Sequence, residues 1–441
     1  MQSKSIARLK KSPPAISVAI FSFYLLIMIF RTWILRDRIW AEDGIFIQSG
    51  IYKVPSEIFS YAGGYRQIPE RILAYLVAFF PPQIWALSIW IITTGVWVTS
   101  ASIIQNSIFL TTKNRWLSFL GGAAIVLNGP ASSDVLSSLN SLHNFLIGVC
   151  LILACFGNFS SRGWTWFAIF NFALLLNMPL AICSLIVIIV RFFTKTISKL
   201  QALYISILSF IGILCQLYGN TGAKERSQLS HGAKLSDFTW EVMVAVNRLT
   251  GWLRLPFSQD TRWKLFFALL LVATVPVLAK FLTEVFTNLK NQKPDISMSF
   301  EVNPTTRQQS RNEQISLLAY SFTAVSVAYF LTSGIQDRHQ VSFGITLSML
   351  VLFVLADALK TKKRYQLAIG VIMFFSISIG NIREFWPSDY SKSGSKWSGE
   401  LKSATEKCNT DPLLQDIIIQ ISPPVPTGFW IIKMKCERLR D

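Results

Sequence analysis

The sequence predicts an all-α polytopic membrane protein with about eleven transmembrane helices. Three observations predict it. Of the 441 residues, 51% are hydrophobic and 15% charged, with a mean hydropathy of +0.43. That composition excludes a soluble globular domain, a disordered chain and a disulfide-stapled miniprotein. Eleven apolar runs follow one another, at roughly 15–35, 83–110, 116–130, 143–159, 164–178, 180–194, 200–219, 263–283, 315–332, 341–359 and 365–382, and ~20 residues of helix cross a bilayer. The basic residues collect on alternate connections.

The first run is too long for the apolar region of a signal peptide. Arg31, Trp33 and Arg36 follow it, where a cleavage site needs small residues. Lys4, Arg8, Lys10 and Lys11 precede it. On the same side fall Lys113 and Arg115, Arg162, Arg191, Lys195 and Lys199, then Lys290, Lys293, Arg307 and Arg311, then Lys360, Lys362, Lys363 and Arg364. These are eighteen basic residues against four acids, whereas the opposite side is nearly balanced. The excess marks the cytoplasmic side, so the net charge of +18 reports orientation and calls for no nucleic acid. It places the N-terminus in the cytoplasm and the C-terminal tail, 383–441, outside, as in a bacterial inner (plasma) membrane protein whose outer side is periplasmic.

The runs 164–178 and 180–194 are short and flank Asn177, Met178 and Pro179. They read as two short spans or a re-entrant pair. The break either lines a cavity or is satisfied by neighbouring helices. Segment 284–314 reads as a polar cytoplasmic linker.

Three larger pieces fall outside: a first loop, 36–82, a middle loop, 220–262, and the tail. The chain thus divides into a transmembrane domain, 1–382, and a small outer tail, 383–441. Cys150, Cys155, Cys183 and Cys215 sit in apolar runs as core thiols. Cys408 and Cys436 both fall in the tail, where an oxidising compartment permits a disulfide.

The first loop carries most of the chemistry. Trp40 precedes Glu42, Asp43 and Gly44; Gly63, Gly64, Tyr65 and Arg66 come later, then Pro69, Glu70 and Arg71. The apolar stretch 72–80 is too short to span and stops at Pro81 and Pro82, so it reads as an interfacial helix. An acid pair near the outer membrane surface, followed by arginines, suits sugar transfer from a lipid-linked donor. A carboxylate takes the proton of an acceptor hydroxyl as the new glycosidic bond forms, and guanidinium forks match phosphate oxygens. Asp43 is the preferred base. Glu42 assists it, or the two would bind a divalent metal, Mg or Mn. Adjacent residues point to different faces, so one carboxylate belongs in the site and its neighbour outside. An acid pair in a loop is otherwise simply solvated, and arginines at an interface are otherwise headgroup anchors.

His143, between Asn140 and Asn144, sits where a span leaves the outer face. It reads either as a cap or as a hydrogen-bonding partner of sugar or phosphate. Asp337, Arg338 and His339 fill a very short outer turn. There Arg338 would contact phosphate with Asp337 orienting it, and the alternative is a local ion pair.

Together these stretches resemble the GT-C superfamily of polyprenyl-phosphate-sugar-dependent membrane glycosyltransferases, in particular bacterial members with a W-x-E-D-G first loop. Trp40, Glu42, Asp43 and Gly44 carry that motif. Gly64, Tyr65, Pro69 and Arg71 are similar to a following G-Y-x-x-x-P-R-like segment, from which Glu70 departs by separating Pro69 from Arg71. Asn140 to Asn144 resembles an N-x-x-N/Q-W-like segment, and Asp337-Arg338-His339 a D/G-R-Y segment with His339 in place of the aromatic. Trp397 and the late SPPVPTGFW are similar to the outer end of such proteins. The resemblance implies an inverting transferase whose first-loop acid, Asp43 or Glu42, is catalytic. Its donor would be a polyprenyl-phosphate-linked sugar held by Arg66, Arg71, Arg338 and His143. Its acceptor, a glycan or lipid-linked glycan, would meet Tyr65, Asn140, Asp337 and His339.

A nucleotide-binding loop, H-E-x-x-H, C-x-x-C and G-x-S-x-G are all missing from the sequence. The rival reading is a flippase, transporter or polymerase of lipid-linked glycans. Transport asks for polar residues along a path between helices and for an inverted repeat, and the apolar runs show neither.

Overall fold

The computed structural model describes residues 14–52, 55–60, 66–129, 135–217, 259–290, 309–333, 340–362, 364–422 and 430–440. Each apolar run holds a helix. In chain order the described helices longer than a single turn are α1 (Pro14–Thr32), α2 (Ala41–Ile51), α3 (Ile68–Ala78), α4 (Trp85–Thr112), α5 (Arg115–Val126), α6 (Leu142–Phe156), α7 (Ser161–Leu175), α8 (Cys183–Phe193), α9 (Lys199–Leu217), α10 (Gln259–Lys290), α11 (Arg311–Ser333), α12 (Gln340–Thr361), α13 (Arg364–Arg383) and α14 (Trp397–Thr410). Among the described residues, six stretches are long and apolar enough to cross a membrane: Ser17–Leu35, Pro82–Thr112, Lys199–Leu217, Ala268–Thr287, Gln340–Thr361 and Arg364–Arg383. The outward surface is apolar as well. On α9, Leu200, Leu203, Ile207, Phe210, Leu214 and Leu217 are all exposed, which suits hydrocarbon rather than water. Helix α12 is central, with every residue from Gln340 to Val354 buried.

Helix lengths set the levels inside this bundle. The Thr111 hydroxyl donates to the carbonyl of Phe156 at 2.8 Å, so α4 and α6 end together. Arg191 near the end of α8 donates to the carbonyls of Ala154 and Gly157 at 2.7 and 2.8 Å, so α8 ends there too. From this shared end, the 15 residues of α6 and of α7 rise about 22 Å. The 11 residues of α8 rise about 16 Å. A bilayer's hydrocarbon core is ~30 Å thick, so all three stop short. Phe145 of α6 stacks on Trp97 with ring centroids 3.7 Å apart, and Trp97 lies about 18 Å along α4 from its start at Trp85. The stretch 164–194 is two short helices separated by residues 176–182, which include a 3₁₀ turn at Pro179–Ile182.

A second hydrophobic core sits beyond these short helices. Phe46 and Ile47 of α2, Ala74 and Val77 of α3, Trp85 and Ile89 of α4, and Leu139 pack there with Trp397 and Leu401 of α14 and with the last part of the tail. That part adds one small hairpin to a fold that is otherwise helical. Asp416–Gln420 (β1) pairs antiparallel with Ile431–Lys435 (β2). The local sequence favours this pairing: Ile417, Ile419, Ile432 and Met434 face inward while Ile418 and Lys433 face out, the two-residue period of a half-buried strand.

The tail and the first loop share this core and are stitched along it. The Trp397 indole stacks on Trp85 at 5.7 Å and donates to the carbonyl of Pro82 at 2.7 Å. Ala41 N–H donates to the Ser422 carbonyl at 2.7 Å, and Ser422 N–H to the Ile39 carbonyl at 3.0 Å. Arg438 donates to the carbonyl of Ala78. Cys408 and Cys436 form a disulfide with Cα atoms 5.4 Å apart. Gly44 lets α2 approach the tail, because a Cβ there would strike Ile421.

Candidate functional site

A buried polar layer separates the two cores. Helix α2 enters it at its first turn. Asp43, its third residue, is 0% exposed, whereas Glu42 beside it is half-buried. The two adjacent carboxylates thus sit in different surroundings. Asp43 Oδ1 accepts from the Asn140 N–H at 2.8 Å and from the Ser138 hydroxyl at 3.3 Å; Oδ2 accepts from the Leu139 N–H at 3.0 Å. Burial pushes the Asp43 carboxyl up to about 7, and the Glu42 charge adds to this. The donors from Asn140, Leu139 and Ser138 pull the other way, since hydrogen bonds to the charged form favour it. The carboxylate ties the connection 138–140 to α2 just before α6 begins.

Helix α3 enters the same layer from the same side. Arg71 of α3 lies over the Phe46 ring of α2 at 4.6 Å, and Gly50 near the end of α2 lies against Ala78 at the end of α3. The two helices therefore run in the same direction. Gln67, with a left-handed φ of 52°, turns the chain into α3, and Pro69 occupies its first turn. Ile68 N–H reaches the Leu176 carbonyl at 3.5 Å, so α3 begins against the end of α7.

Glu70, the third residue of α3, is 2% exposed. Its Oε1 accepts from the Asn177 amide and lies 3.5 Å from His143 Nδ1. Among the described residues, its Oε2 has no hydrogen-bond partner. Asn177 and His143 are 1% and 2% exposed. This cluster draws on α3, on the first turn of α6, and on the break between α7 and α8.

Four other buried oxygens of the layer also lack a partner among the described residues: Asn140 Oδ1, Asn177 Oδ1, Gln67 Oε1 and Gln340 Oε1. Protein interiors rarely leave such atoms unsatisfied. The Ser342 hydroxyl donates to the Asn144 carbonyl, and the Asn128 amide donates to the Val341 carbonyl at 2.9 Å. These bonds bring the start of α12 to the start of α6. The layer is therefore rich in acceptors, faces the first turns of α2, α3 and α6, and borders that of α12.

The remaining expected residues take varied places. Arg71 does not face lipid: it is buried, and its guanidinium donates to the Glu57 carbonyl at 2.6 Å. The backbone N–H of Arg66 donates to Gln216 Oε1 at 3.3 Å, which sets Arg66 beside the end of α9. Asn140 and His143 belong to the layer. Tyr65, Asp337, Arg338 and His339 lie outside the described residues, as does the middle loop up to 258.

A divalent metal on Glu42 and Asp43 does not fit the donor set. Both Asp43 oxygens already face N–H and O–H groups, and Glu42 lies in different surroundings. Among the described residues, three or more His, Cys, Asp or Glu side chains nowhere gather as a metal site would require.

Glu70 is the residue that sequence reasoning missed. It read as an interruption between Pro69 and Arg71, whereas Asn177 read as a break that either lines a cavity or is satisfied by neighbouring helices. Pro69 followed by an acid does signal a helix start. Nothing local signals that Glu70 meets a side chain 107 residues away.

Comparison with protein-family models and with curated proteins finds no match for this chain.

Proposed function

We propose that the chain is a membrane glycosyltransferase that moves a sugar from a polyprenyl-phosphate donor to a glycan or lipid-linked acceptor, with inversion. The observation that carries this reading is the polar layer between the two cores, with two buried carboxylates at helix starts. In this reading the layer faces the periplasm, the N-terminus is cytoplasmic, and the eleven long and short helices of the bundle cross or enter the bacterial inner membrane.

The chemistry follows from the layer's make-up. A sugar brings hydroxyl donors, and the layer offers buried acceptors in Glu70, Asn140, Asn177, Gln67 and Gln340. The first turns of α2, α3 and α6 turn toward it, and the positive ends of these helix dipoles favour a phosphate. Arg66 and, beyond the described residues, Arg338 would add positive charge, whereas Arg71 acts as a strut. The polyprenyl chain stays in lipid alongside α3, where Ile72, Leu76, Phe79 and Phe80 form an exposed apolar stripe. A carboxylate of the layer takes the acceptor's proton as its oxygen bonds to the anomeric carbon.

Transport is disfavoured by the opposite half of the bundle. There α6 from Phe145 to Phe156 and α12 from Phe343 to Val354 are almost wholly buried and mostly apolar, and a path for a charged headgroup would need polar lining.

The test is the surface-glycan mass profile of cells lacking the protein, with and without the wild-type gene restored. Loss of one sugar mass, regained on restoration, is the expected result and names the sugar class. An unchanged profile in the deleted cells would remove the transferase reading.

A further inference from the structure

Asp43 and Glu70 are both buried acids of the same layer, and their surroundings divide the work between them. Asp43 spends its oxygens on three donors of the connection 138–140. Two of those donors are backbone N–H groups whose position it fixes. Among the described residues, Glu70 is held by one oxygen alone: Oε1 takes the Asn177 amide and faces His143, while Oε2 is buried without a partner there. A general base needs a lone pair within reach of the proton it removes, and Glu70 Oε2 offers one.

We infer that Glu70 is the proton acceptor of the transfer, that Asn177 and His143 position it, and that Asp43 is a strut which shapes the connection before α6. The inference rests on the transferase reading above. In the step, the acceptor O–H bond breaks and its proton passes to Glu70 Oε2. The acceptor oxygen forms a bond to the anomeric carbon. The bond from that carbon to the donor phosphate oxygen breaks, and its electron pair leaves with the polyprenyl phosphate. Glu70 ends as a neutral carboxylic acid, and bulk water on the outer side takes the proton to reset it. Asn177 holds Oε1 so that Oε2 points into the layer. His143, with Nδ1 3.5 Å from Oε1, is the second group that sets the surroundings of the base.

The experiment uses cells lacking the protein, complemented with the full-length chain as wild type, Glu70→Gln, Glu70→Asp, Asp43→Asn or His143→Gln. The rate at which the missing sugar is added to the surface glycan is followed from external pH about 5.5 to about 8.5, above the ordinary carboxyl range, and normalised to folded protein in the membrane.

Expected are a loss of about 100-fold or more for Glu70→Gln with a normal melting temperature, as befits removal of a general base. Glu70→Asp retains an intermediate rate. His143→Gln shifts the acidic limb of the pH profile, which a merely structural histidine would leave in place. Asp43→Asn chiefly lowers the amount and melting temperature of folded protein. The inference is overturned if Glu70→Gln keeps wild-type rates, or if His143→Gln leaves the pH profile unmoved. It is equally overturned if Asp43→Asn alone abolishes transfer at matched folded amounts, which would make Asp43 the base. If cells lacking the protein show full glycan, the transferase reading fails first and this assignment falls with it, a result distinct from active transfer by Glu70→Gln.

Discussion

Asp43 and Glu70 hold the same position, the third residue, in two helices that run in the same direction into one buried polar layer. Each is almost fully buried, yet three donors hold Asp43 whereas the oxygen Oε2 of Glu70 has none among the described residues. Four predictions follow from this layer and from the parts that frame it.

Stability should depend on pH through Asp43. Its folded carboxyl is pushed up to about 7 by burial, above the value near 4 of an unfolded aspartate. Between those values the folded state holds the proton and the unfolded chain does not, so stability falls as pH rises from about 4 to about 7 and levels off above. Asp43→Asn removes this slope. It also sets an amide donor against the Leu139 or Asn140 N–H, so its melting temperature drops over the whole range. Thermal unfolding in detergent between pH 4.5 and 8.5 checks both; equal slopes for wild type and variant would refute the first.

Removing the Asn177 amide strips the carboxylate of Glu70 of the donor that holds Oε1. A buried acceptor left without a partner costs about 1–3 kcal/mol. Asn177→Ala should therefore unfold at a temperature several degrees lower, and Asn177→Leu no higher. A melting curve unchanged by Asn177→Ala would mean that the amide does not support Glu70.

Arg31 ties the ends of three elements at the border of the layer. Its guanidinium donates to the carbonyls of Val126 at 2.8 Å, Asn128 at 2.7 Å and Phe385 at 2.6 Å. A lysine ammonium is a compact point charge and cannot fork across three carbonyls. Arg31→Lys should destabilise by about 2–4 kcal/mol, the range for breaking a buried charged network. Thermal shift of the purified variant against wild type measures it; a loss within experimental scatter would contradict the network's importance.

Reducing the Cys408–Cys436 disulfide should loosen the tail before the bundle. The bridge closes a loop of sequence separation 28, for which the chain-entropy account gives about 3–4 kcal/mol. Hydrogen exchange with and without reductant should show faster exchange in α14, β1 and β2, and little change in α6 or α12. Equal acceleration across the chain would show that tail and bundle unfold as one.

Much of this architecture is local and so was legible in the sequence. Long apolar runs form helices because a backbone without water must bond to itself, and each of the eleven runs holds one. The alternation of Ile417, Ile418 and Ile419 with the matching Ile432, Lys433 and Met434 was also local, although an all-α reading passed over it. The burial of Asp43 beside a half-buried Glu42 followed from adjacent residues facing apart. Arg71 was harder: a guanidinium near an interface is as suited to a carbonyl as to a phosphate, and nothing local signals its packing over Phe46.

By itself, the sequence determined where helices form and which stretches are apolar enough for a membrane, because both depend on neighbours within a few residues. Tertiary structure alone decided which polar residues meet. Glu70, His143 and Asn177 come together because α6 and α7 stop after 15 residues, because α3 begins against the end of α7, and because the tail packs with the first loop into one core. Each of these contacts joins segments far apart in the chain. Their energy comes from apolar burial on either side, which is non-directional and leaves no local mark at the residues it brings together.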